Sequence, residues 1–301
     1  MKKKMMKVAG VGQCSLDYIV SVKRFPEEDT KEEALGFTSE GGGPVATALV
    51  SLSRLGVKTY FTGLVSDDDA GKAIKKGLVA EGVDIKGLVV RKGGSSQRAF
   101  IVANMKNGSR TIYWQRPSVG ELAPLDVNPS QIRGKDFLLV DGLMPGAALA
   151  AVRLARSLKI PIMLDAGSMK AGMLKLCGLC DYVIGSEDFS RAISPDPKKT
   201  LKKISALGPK AVTITMGRRG SVTWSEGRIF RTPAFRTRAV DTTGAGDVFH
   251  GGCIYGLMKG SSMEEAVRFA SAFAALKCAA PGGRSGIPTL RKTLLFLKAN
   301  R

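Results

Sequence analysis

The stretch VDTTGAGDVFHGG, residues 240–252, decides the fold and indicates where the chemistry would take place. Two aspartates, Asp241 and Asp247, flank a Thr-Thr-Gly-Ala-Gly run, and apolar residues with helical spacing follow. A helix N-terminus presents free N–H groups and a partial positive charge, and glycines let the backbone approach an anion closely. We therefore predict that this loop binds a phosphate and that a neighbouring carboxylate takes the proton of an attacking hydroxyl.

The two aspartates compete for the role of the base. Asp247 is interpreted as the base because it lies at the start of the helix, beside the predicted anion hole, whereas Asp241 would hold the threonines or a metal-bound water from the preceding strand end. A glycine-rich turn in which Asp247 only caps the helix fits the spacing equally well. His250, one helical turn further on, is interpreted as a pocket-lining residue.

Length and composition indicate one large α/β domain with an accessory piece, or two modest domains. The chain has 301 residues, of which 44% are hydrophobic and 24% charged, as in ordinary globular proteins. No apolar run approaches the length of a membrane span. The five cysteines are odd in number and scattered, and the one C-x-x-C lacks further zinc ligands, so the thiols predict a reducing, cytoplasmic location.

The formal net charge of +20 raises the alternative of a nucleic-acid-binding protein. Lysine and arginine are, however, spread along stretches with helical spacing, and aromatic residues make up only 6% of the chain. This pattern favours solvated helix faces over a base-stacking surface. A basic protein would also attract anionic substrates.

Strands that alternate with helices predict a doubly wound, mostly parallel sheet with helices on both faces. Two excursions with alternating polarity interrupt it, and the second contains the hairpin signal Asn107-Gly108. We expect these excursions to pair into a small antiparallel sheet that forms a lid over the carboxyl ends of the parallel strands. The predicted division is a core of residues 1–12, 41–94 and 117–301 with a lid of residues 13–40 and 95–116.

Two further glycine turns fit this arrangement. In VTITMGRRGS, residues 212–221, Thr215, Gly217 and Gly220 follow a strand and could meet a nucleotide phosphate, although a β-turn explains them equally well. In EGGGPVATA, residues 40–48, three glycines precede a helix, where a sugar hydroxyl could touch the backbone. The chain contains no G-x-x-x-x-G-K-[ST] motif, which excludes a Walker-type phosphate site.

The chain resembles the PfkB, or ribokinase-like, family of ATP-dependent carbohydrate kinases over almost its whole length. The residues that carry the resemblance are EGGGPVATALVSLSRLG, ITMGRRG, VDTTGAGDVFHGG and RFASAFAALKCAAPGGRSGIP, in this order. The resemblance implies a ribokinase-like doubly wound α/β domain with a small β-sheet lid that often makes a homodimer contact. It also implies ATP, Mg²⁺ and a monovalent cation such as K⁺ as cofactors.

The resemblance implies the roles of individual residues as well. It makes Asp247 the catalytic base and assigns the other roles as follows: Gly244, Ala245 and Gly246 form the anion hole; Asp17, Gly41, Gly42 and Gly43 hold sugar hydroxyls; Thr215, Gly217, Gly220 and Gly283 line the nucleotide site. The segment 281–286 would lie near the adenine and near carbonyls that hold the monovalent cation.

The chain departs from the family pattern at three places. Gly43 and Ala46 replace a lysine and a sugar-binding asparagine. The N-x-x-E motif, which is tied to magnesium and phosphate, reads SEDF, residues 186–189, so that Glu187 or Asp188 would have to serve the metal. The chain looks closest to the sulfofructose-kinase branch, in which Lys31 would face the sulfonate, but Leu143 stands where that branch places an arginine.

The sequence therefore predicts an ATP-dependent kinase that phosphorylates a hydroxyl of a ketohexose-like sugar, neutral or anionic like sulfofructose. Lys31, Arg98 and Arg116 are the candidate cations of the lid. A nucleoside kinase, or a non-catalytic member that binds a sugar or nucleotide as a regulator, remains the alternative. No membrane or nucleic-acid partner is expected.

Overall fold

The computed structural model describes residues 5–300, which form thirteen β-strands and nine α-helices in two sheets with flanking helices. The strands are β1 (Lys7–Val11), β2 (Ser15–Val22), β3 (Gly36–Gly42), β4 (Lys58–Ser66), β5 (Asp84–Arg91), β6 (Arg98–Asn104), β7 (Ser109–Gln115), β8 (Phe137–Val140), β9 (Ile162–Ala166), β10 (Tyr182–Ser186), β11 (Ala211–Thr215), β12 (Ser221–Ser225) and β13 (Arg228–Thr232). The helices are α1 (Pro44–Arg54), α2 (Asp69–Ala80), α3 (Pro145–Ser157), α4 (Met173–Leu179), α5 (Glu187–Arg191), α6 (Pro197–Ser205), α7 (Ala245–Met258), α8 (Met263–Lys277) and α9 (Leu290–Ala299).

The large sheet has the strand order β13-β12-β11-β10-β9-β8-β1-β4-β5. Its strands pair in parallel from β5 to β11, and only the β11–β12 and β12–β13 pairs, at one edge, are antiparallel. The chain moves outward from β1 in both directions, to β4 and to β8, so the strand order reverses beside β1. Ligands of doubly wound sheets bind at this reversal, outside the carboxyl ends of the strands.

Alternate residues of the central strands face two separate hydrophobic cores. In β8, Phe137 and Leu139 belong to the core beneath α1, α7 and α8, while Leu138 and Val140 belong to the core beneath α3, α4 and α6. This division explains why the strand sequences are continuous apolar runs, since both faces of the sheet are covered. The prediction of a mostly parallel sheet with helices on both faces is confirmed.

The small sheet has the order β3-β2-β6-β7. Its hairpin pairs, β2 with β3 and β6 with β7, are antiparallel as expected, whereas the central pair, β2 with β6, is parallel. The parallel pair follows from topology: β2 and β6 each come after a strand of the large sheet, β1 and β5, and these two strands run in the same direction. Two excursions that start from the same edge of the large sheet therefore meet side by side with the same polarity.

The two faces of the small sheet differ in what they carry. One face buries Ile19, Ala99, Ile101 and Ala103 as a small apolar cluster. On the other face Tyr18 stacks on Phe100, with ring centroids 5.2 Å apart, and Phe37 and Tyr113 are 67% and 61% exposed. Residues alternate between the faces of a strand, so Asp17 and Ile19 share the buried face.

Within residues 5–300 no helix has both the length and the apolar character that a bilayer crossing requires.

Candidate active site

Asp247 lies in the first turn of α7, and its side chain is half-buried. Gly244 caps the N-terminus of this helix. Gly244 has φ 72°, a left-handed conformation that glycine adopts without strain, and a Cβ there would lie 2.7 Å from the Gly283 carbonyl oxygen. The loop can therefore turn into the helix and touch the 281–286 segment only with glycine at this position. A Cβ on Gly246, in contrast, would meet no atom within 4 Å, so the space above this residue is open.

The N–H groups at this helix end point to an anion site. The Ala245 N–H donates to the Thr242 carbonyl at 3.2 Å, so this donor, one of those predicted for the anion hole, is partly engaged inside the loop. Those of Gly246 and Asp247 have no acceptor among residues 5–300, as is usual in the first helical turn. The Gly244 N–H also has no acceptor among these residues, so two of the three predicted donors, Gly244 and Gly246, are free, and the Asp247 N–H is free beside them.

The surroundings of Asp247 bring the pKa of its carboxyl group close to neutral pH. Burial raises the pKa of Asp247 to about 7, and the negative charge of Asp165 adds to the rise, while His250 and Arg110 oppose it. A group with this pKa is well matched to proton transfer near neutral pH. Geometry and protonation thus both suit Asp247 as a general base.

Asp241, the other candidate, is engaged in holding the loop. Its carboxylate is buried and accepts hydrogen bonds from the backbone N–H groups of Thr243 and Gly282, each at 2.8 Å. Burial alone would raise the pKa of Asp241, but these bonds and the positive charge of Lys277 keep it below its usual value. Its oxygens are therefore committed to the loop, in line with the supporting role that the sequence indicates.

Two further aspartates, which the sequence analysis did not single out, face the same region. Asp141 follows β8 and accepts from the N–H groups of Gln13 and Leu143 at 2.7 and 3.0 Å, and Asp165 lies near the end of β9. Burial raises the pKa of each to about 7, and Asp165 contributes to the rise at Asp141. The motifs VDG and LDAG, in which an acid and a glycine end an apolar strand, are the signal that could have identified them.

His250 supports this group rather than taking part in proton transfer. Its Nδ1 lies 2.7 Å from the Gly246 carbonyl oxygen and 3.5 Å from an oxygen of Asp165, and its Nε2 lies 3.4 Å from the Ile184 carbonyl. Burial lowers the pKa of His250, which favours the neutral ring. The expectation of a buried, pocket-lining histidine agrees with this placement.

Asp17, on β2, meets the glycine segment of β3. Ser15 Oγ donates to the Asp17 carboxylate at 2.6 Å, and a side chain at Gly42 would collide with the same carboxylate. Burial raises the pKa of Asp17 to about 6. The charge of Asp17 also contributes to the raised pKa of Asp247, so the structure brings the predicted sugar-binding residue and the predicted base into one site.

Arg284, a residue that the sequence analysis did not name, holds the glycine segment of β3 by hydrogen bonds. Its buried guanidinium donates to the Gly42 carbonyl at 3.0 Å and to Thr47 Oγ1 at 3.3 Å, and a side chain on Gly41 would collide with it. Glu40 in turn accepts from the N–H groups of Arg284 and Ser285. The predicted sugar segment and the 281–286 segment are therefore one hydrogen-bonded unit.

The three candidate cations of the lid do not contact the predicted base. Lys31 is exposed in the connection between β2 and β3 and makes no ion pair or hydrogen bond with residues 5–300. Arg98 pairs with Asp68 at 2.7 Å, and Arg116 lies over the ring of Trp114 at 5.1 Å. None of these three is brought to the Asp247 group.

Arg110 is the cation of the small sheet that reaches the predicted phosphate-binding loop. It lies on β7, and its Nη1 donates to Thr242 Oγ1 at 2.7 Å. Thr242 Oγ1 also donates to the Gly108 carbonyl at 3.3 Å, so the tip of the β6–β7 hairpin rests on the loop. The positive charge of Arg110 lowers the pKa of Asp247. The sequence could not identify Arg110, since nothing near it distinguishes it from other surface arginines.

Three of the four predicted nucleotide residues line the carboxyl end of β11 and the turn that follows, whereas the fourth, Gly283, packs against Gly244 of the α7 loop. Thr215 Oγ1 donates to the Gly185 carbonyl at 3.3 Å, Gly217 is exposed with open space at its Cβ position, and a side chain on Gly220 would collide with the Thr232 carbonyl. Gly217 therefore leaves room for a ligand, while Gly220 allows close packing against β13. A cavity of about 710 Å³ between α6 and β12–β13 shares Arg219 with this turn, and the aspartate in its lining is Asp196 rather than Asp247 or one of the aspartates around it.

Glu187, the predicted metal ligand, begins α5 at the carboxyl end of β10. Its carboxylate pairs with Arg191 and Arg219, and Arg219 is the main reason that the pKa of Glu187 lies below its usual value. Asp188 is 83% exposed and lies 3.7 Å from Arg191. Within residues 5–300 no three His, Cys, Asp or Glu side chains gather as a metal-binding group.

The chain is similar to known proteins along nearly its whole length. A family model described as "pfkB family carbohydrate kinase" matches residues 5–290. The chain is 28% identical to the ribokinase of Haemophilus influenzae over 96% of this chain and 97% of that protein. It is 27% identical to a nucleoside kinase of Methanothermobacter thermautotrophicus over 92% and 91%.

A solved structure gives the same result for the fold. The crystal structure of a putative ribokinase from Agrobacterium tumefaciens superposes with a TM-score of 0.90 at 27% identity, over 98% of both chains. The two-sheet architecture is thus ribokinase-like, as the sequence predicts. With the family model matching nearly the whole length, the chain belongs to the pfkB family of carbohydrate kinases and is an ATP-dependent sugar kinase.

Proposed function

We propose that this protein transfers the γ-phosphoryl group of ATP to a hydroxyl of a small ketohexose-like sugar, with Asp247 as the general base. The observation that carries the proposal is the position of Asp247, which has a pKa of about 7 beside two free backbone N–H groups and the open space at Gly246. Asp17, on β2, supports the proposal because its charge contributes to the raised pKa of Asp247.

The steps follow from these positions. The sugar hydroxyl gives its proton to the Asp247 carboxylate as its oxygen forms a bond to the γ-phosphorus, and the bond from that phosphorus to the ADP oxygen breaks. The N–H groups of Gly246 and Asp247 stabilise the charge on the transferred phosphoryl oxygens. Arg110, held at Thr242, adds positive charge from the lid. The hairpin tip on the loop keeps water, a competing acceptor, away from the phosphoryl group.

Mg²⁺ and ATP complete the proposed site. Magnesium usually keeps several waters and takes one or two carboxylates together with substrate phosphates, and the chain offers such oxygens at Glu187 and Asp188. Asp188 is available because it is mostly exposed, whereas Glu187 would have to release Arg219. Bound to the phosphates, the metal would neutralise part of their charge. We leave K⁺ out of this set, since the ammonium of Lys277 already contacts the same loop.

The charges around the sugar position favour a neutral substrate. Asp17, Asp141, Asp165 and Asp247 carry carboxyl groups with raised pKa values, and carboxylates are suited to sugar hydroxyl donors. An anionic sugar such as sulfofructose would need a cation here. The Arg284 guanidinium near Asp17 already donates to the Gly42 carbonyl and Thr47 Oγ1, and Lys31 is exposed in a connection away from these contacts. We therefore expect a neutral ketohexose before a sulfonated one, and a nucleoside as the second candidate class.

We further propose that the protein is a homodimer that works in the cytoplasm. The exposed aromatic face of the small sheet, with Phe37, Phe100 and Tyr113, offers an apolar surface of the kind that a second copy would cover. The five cysteines are free and buried, which suits a reducing compartment. Light scattering of the wild type and of Phe100→Glu tests the dimer: a monomeric wild type would refute it.

The experiment that tests the function is coupled ADP release with Mg-ATP over fructose, sulfofructose, fructose phosphates, ribose, 2-keto-3-deoxygluconate and adenosine. Turnover with a neutral sugar that disappears in Asp247→Asn would support both the substrate class and the base. Equal turnover in Asp247→Asn would refute the base, and turnover confined to adenosine would replace the sugar by a nucleoside.

A further inference from the structure

Lys277 is a fully buried lysine that the proposed mechanism does not yet use. It is the last residue of α8, its relative exposure is 0%, and its Nζ donates to the backbone carbonyl of Asp241 at 3.0 Å. An ammonium has three N–H donors, and among residues 5–300 this is its only hydrogen bond. Burying such a charge costs free energy unless an opposite charge or hydrogen bonds compensate it. A functional role beside the predicted phosphate-binding loop would explain why this lysine is buried here.

The ammonium lies at the origin of the anion-binding loop. Asp241 begins the loop; its carboxylate holds the N–H groups of Thr243 and Gly282, and its carbonyl receives Lys277. The same stretch is tied to the end of α8, because the Val240 and Asp241 N–H groups donate to the Cys278 carbonyl. The Lys277 charge is therefore fixed within the scaffold that sets the direction of the Gly246 and Asp247 N–H groups.

Charges from several elements face this ammonium. Burial lowers the pKa of Lys277, and Arg110 on β7 acts in the same direction, whereas Asp241 and Glu40 favour the charged form. The Asp241 carboxylate is ionised at neutral pH, since its pKa lies below the usual value. A lysine at the carboxyl end of a helix is further stabilised by the free carbonyls there. These groups together support a charged Lys277 beside Asp241.

We propose that the Lys277 ammonium is the resident monovalent cation of the phosphate-binding loop, so that the enzyme needs no added K⁺ or NH₄⁺. It holds Asp241 in place through its carbonyl and adds a fixed positive charge near the transferred phosphoryl group. This proposal rests on the proposed phosphoryl transfer at Asp247, and it assigns Lys277 as a positioning residue.

Two of the carbonyls that could hold a free cation nearby already accept hydrogen bonds. The Pro281 carbonyl accepts from Ser285 Oγ, and the Arg284 carbonyl accepts from Arg54 Nη1 at 2.8 Å and from the Ile287 N–H at 3.1 Å. The Gly283 carbonyl packs closely against Gly244, which limits the space around it. A free ion at the first two carbonyls would compete with these donors, whereas the lysine reaches the Asp241 carbonyl without doing so.

The test compares the wild type with Lys277→Ala, Lys277→Met and Arg268→Ala in buffers whose only monovalent cation is N-methylglucamine, Na⁺, K⁺ or NH₄⁺. Turnover is measured with the sugar found in the panel. Binding of MgADP with fluoroberyllate, a γ-phosphate analogue, is measured by thermal shift and needs no sugar. Arg268 is the control, because it is a half-buried cation of the same helix whose guanidinium contacts the Asn300 carbonyl and the Phe235 ring rather than the Asp241–Asp247 loop.

We expect wild-type and Arg268→Ala turnover to differ by less than about twofold among the four cations. Lys277→Ala should lose about 100-fold in N-methylglucamine, the scale of losing one oriented charge-stabilising contact, and recover at least about tenfold in K⁺ or NH₄⁺, which can enter the vacated space. Lys277→Met fills that space with an uncharged chain and should show the loss without the recovery.

Three outcomes would overturn the proposal. One is strong activation of the wild type by K⁺, which would show a separate cation site. Another is Lys277→Ala with normal turnover in N-methylglucamine. The third is a loss of turnover that no cation restores although the fluoroberyllate complex stabilises Lys277→Ala as it does the wild type, which would leave Lys277 a structural role alone. A wild type that the complex does not stabilise would instead refute the proposed phosphoryl transfer at this loop.

Discussion

Replacing Asp247 by asparagine should remove activity and at the same time stabilise the fold. The substitution keeps the size of the side chain and removes a carboxylate that is only partly exposed and lies near Asp165 and Asp17. In the folded protein this carboxyl group resists ionisation, and in the unfolded chain it does not. The native state therefore carries an electrostatic cost at any pH at which Asp247 is charged.

The size of the effect follows from the pKa. The pKa of Asp247 rises from 3.8 to about 7 on folding, so the unfolded chain ionises first as the pH increases and the folded state loses stability from about pH 4 to pH 7. About three pH units at 1.36 kcal/mol each give about 4 kcal/mol above pH 7. This value is an upper bound, since the carboxylate is partly exposed and its neighbours can take up protons instead.

The assay is calorimetric unfolding of the wild type and Asp247→Asn at pH 8 and pH 4, with Asp188→Asn, an exposed aspartate, as the control. We expect the melting temperature of Asp247→Asn to exceed that of the wild type by about 2–6 °C at pH 8 for a chain of this length, and the difference to disappear at pH 4. A variant that is no more stable at pH 8 would refute the conclusion that burial and Asp165 destabilise the Asp247 carboxylate.

Other perturbations test the remaining parts of the site. The kcat/KM of the wild type should increase about tenfold per pH unit up to about pH 7 and then level off, because Asp247 must be ionised; a flat profile between pH 5 and 8 would contradict this. Arg110→Gln should lower kcat about 10- to 100-fold with little change in the sugar KM, whereas Arg116→Gln, whose side chain rests on Trp114, should behave as the wild type; steady-state kinetics of the pair decide. Asp141→Asn should increase the sugar KM at least about tenfold and leave ADP binding by calorimetry unchanged, and weakened ADP binding would place Asp141 elsewhere.

The sequence predicts the fold well because the deciding signals are local. Apolar runs of strand length that alternate with helical spacing are sufficient for a parallel sheet covered on both faces, and the glycine loop with Asp247 marks a helix N-terminus. The direction of β6 relative to β2 could not be predicted from local signals of this sort. It depends on which edge of the large sheet each excursion leaves, and no local pattern records that edge.

The residues that complete the site are missed for the same reason. Arg110 meets Thr242 across 132 positions of sequence, and Arg284 meets Gly42 across 242. Each is a basic residue in a chain rich in basic residues, so its type carries no information until the fold brings a partner to it. Lys277 ends a helix like many other lysines, and only its burial beside Asp241 distinguishes it.

The distribution of charge in the site suits the two halves of the proposed reaction. The acceptor half must remove a proton from a hydroxyl, and there Asp17, Asp141 and Asp165 gather where burial raises the pKa values of their carboxyl groups. The same negative environment raises the pKa of Asp247, which a proton acceptor near neutral pH requires. The donor half must stabilise phosphoryl oxygens, and there Lys277 and Arg110 contact the two ends of the Asp241–Thr242 segment. Asp165 and Arg110 both act on the pKa of Asp247, so an added cation near Asp165 or a lost one near Thr242 should change the pKa of the proposed base. In the proposed reaction, either change should also alter the stabilisation of the phosphoryl group.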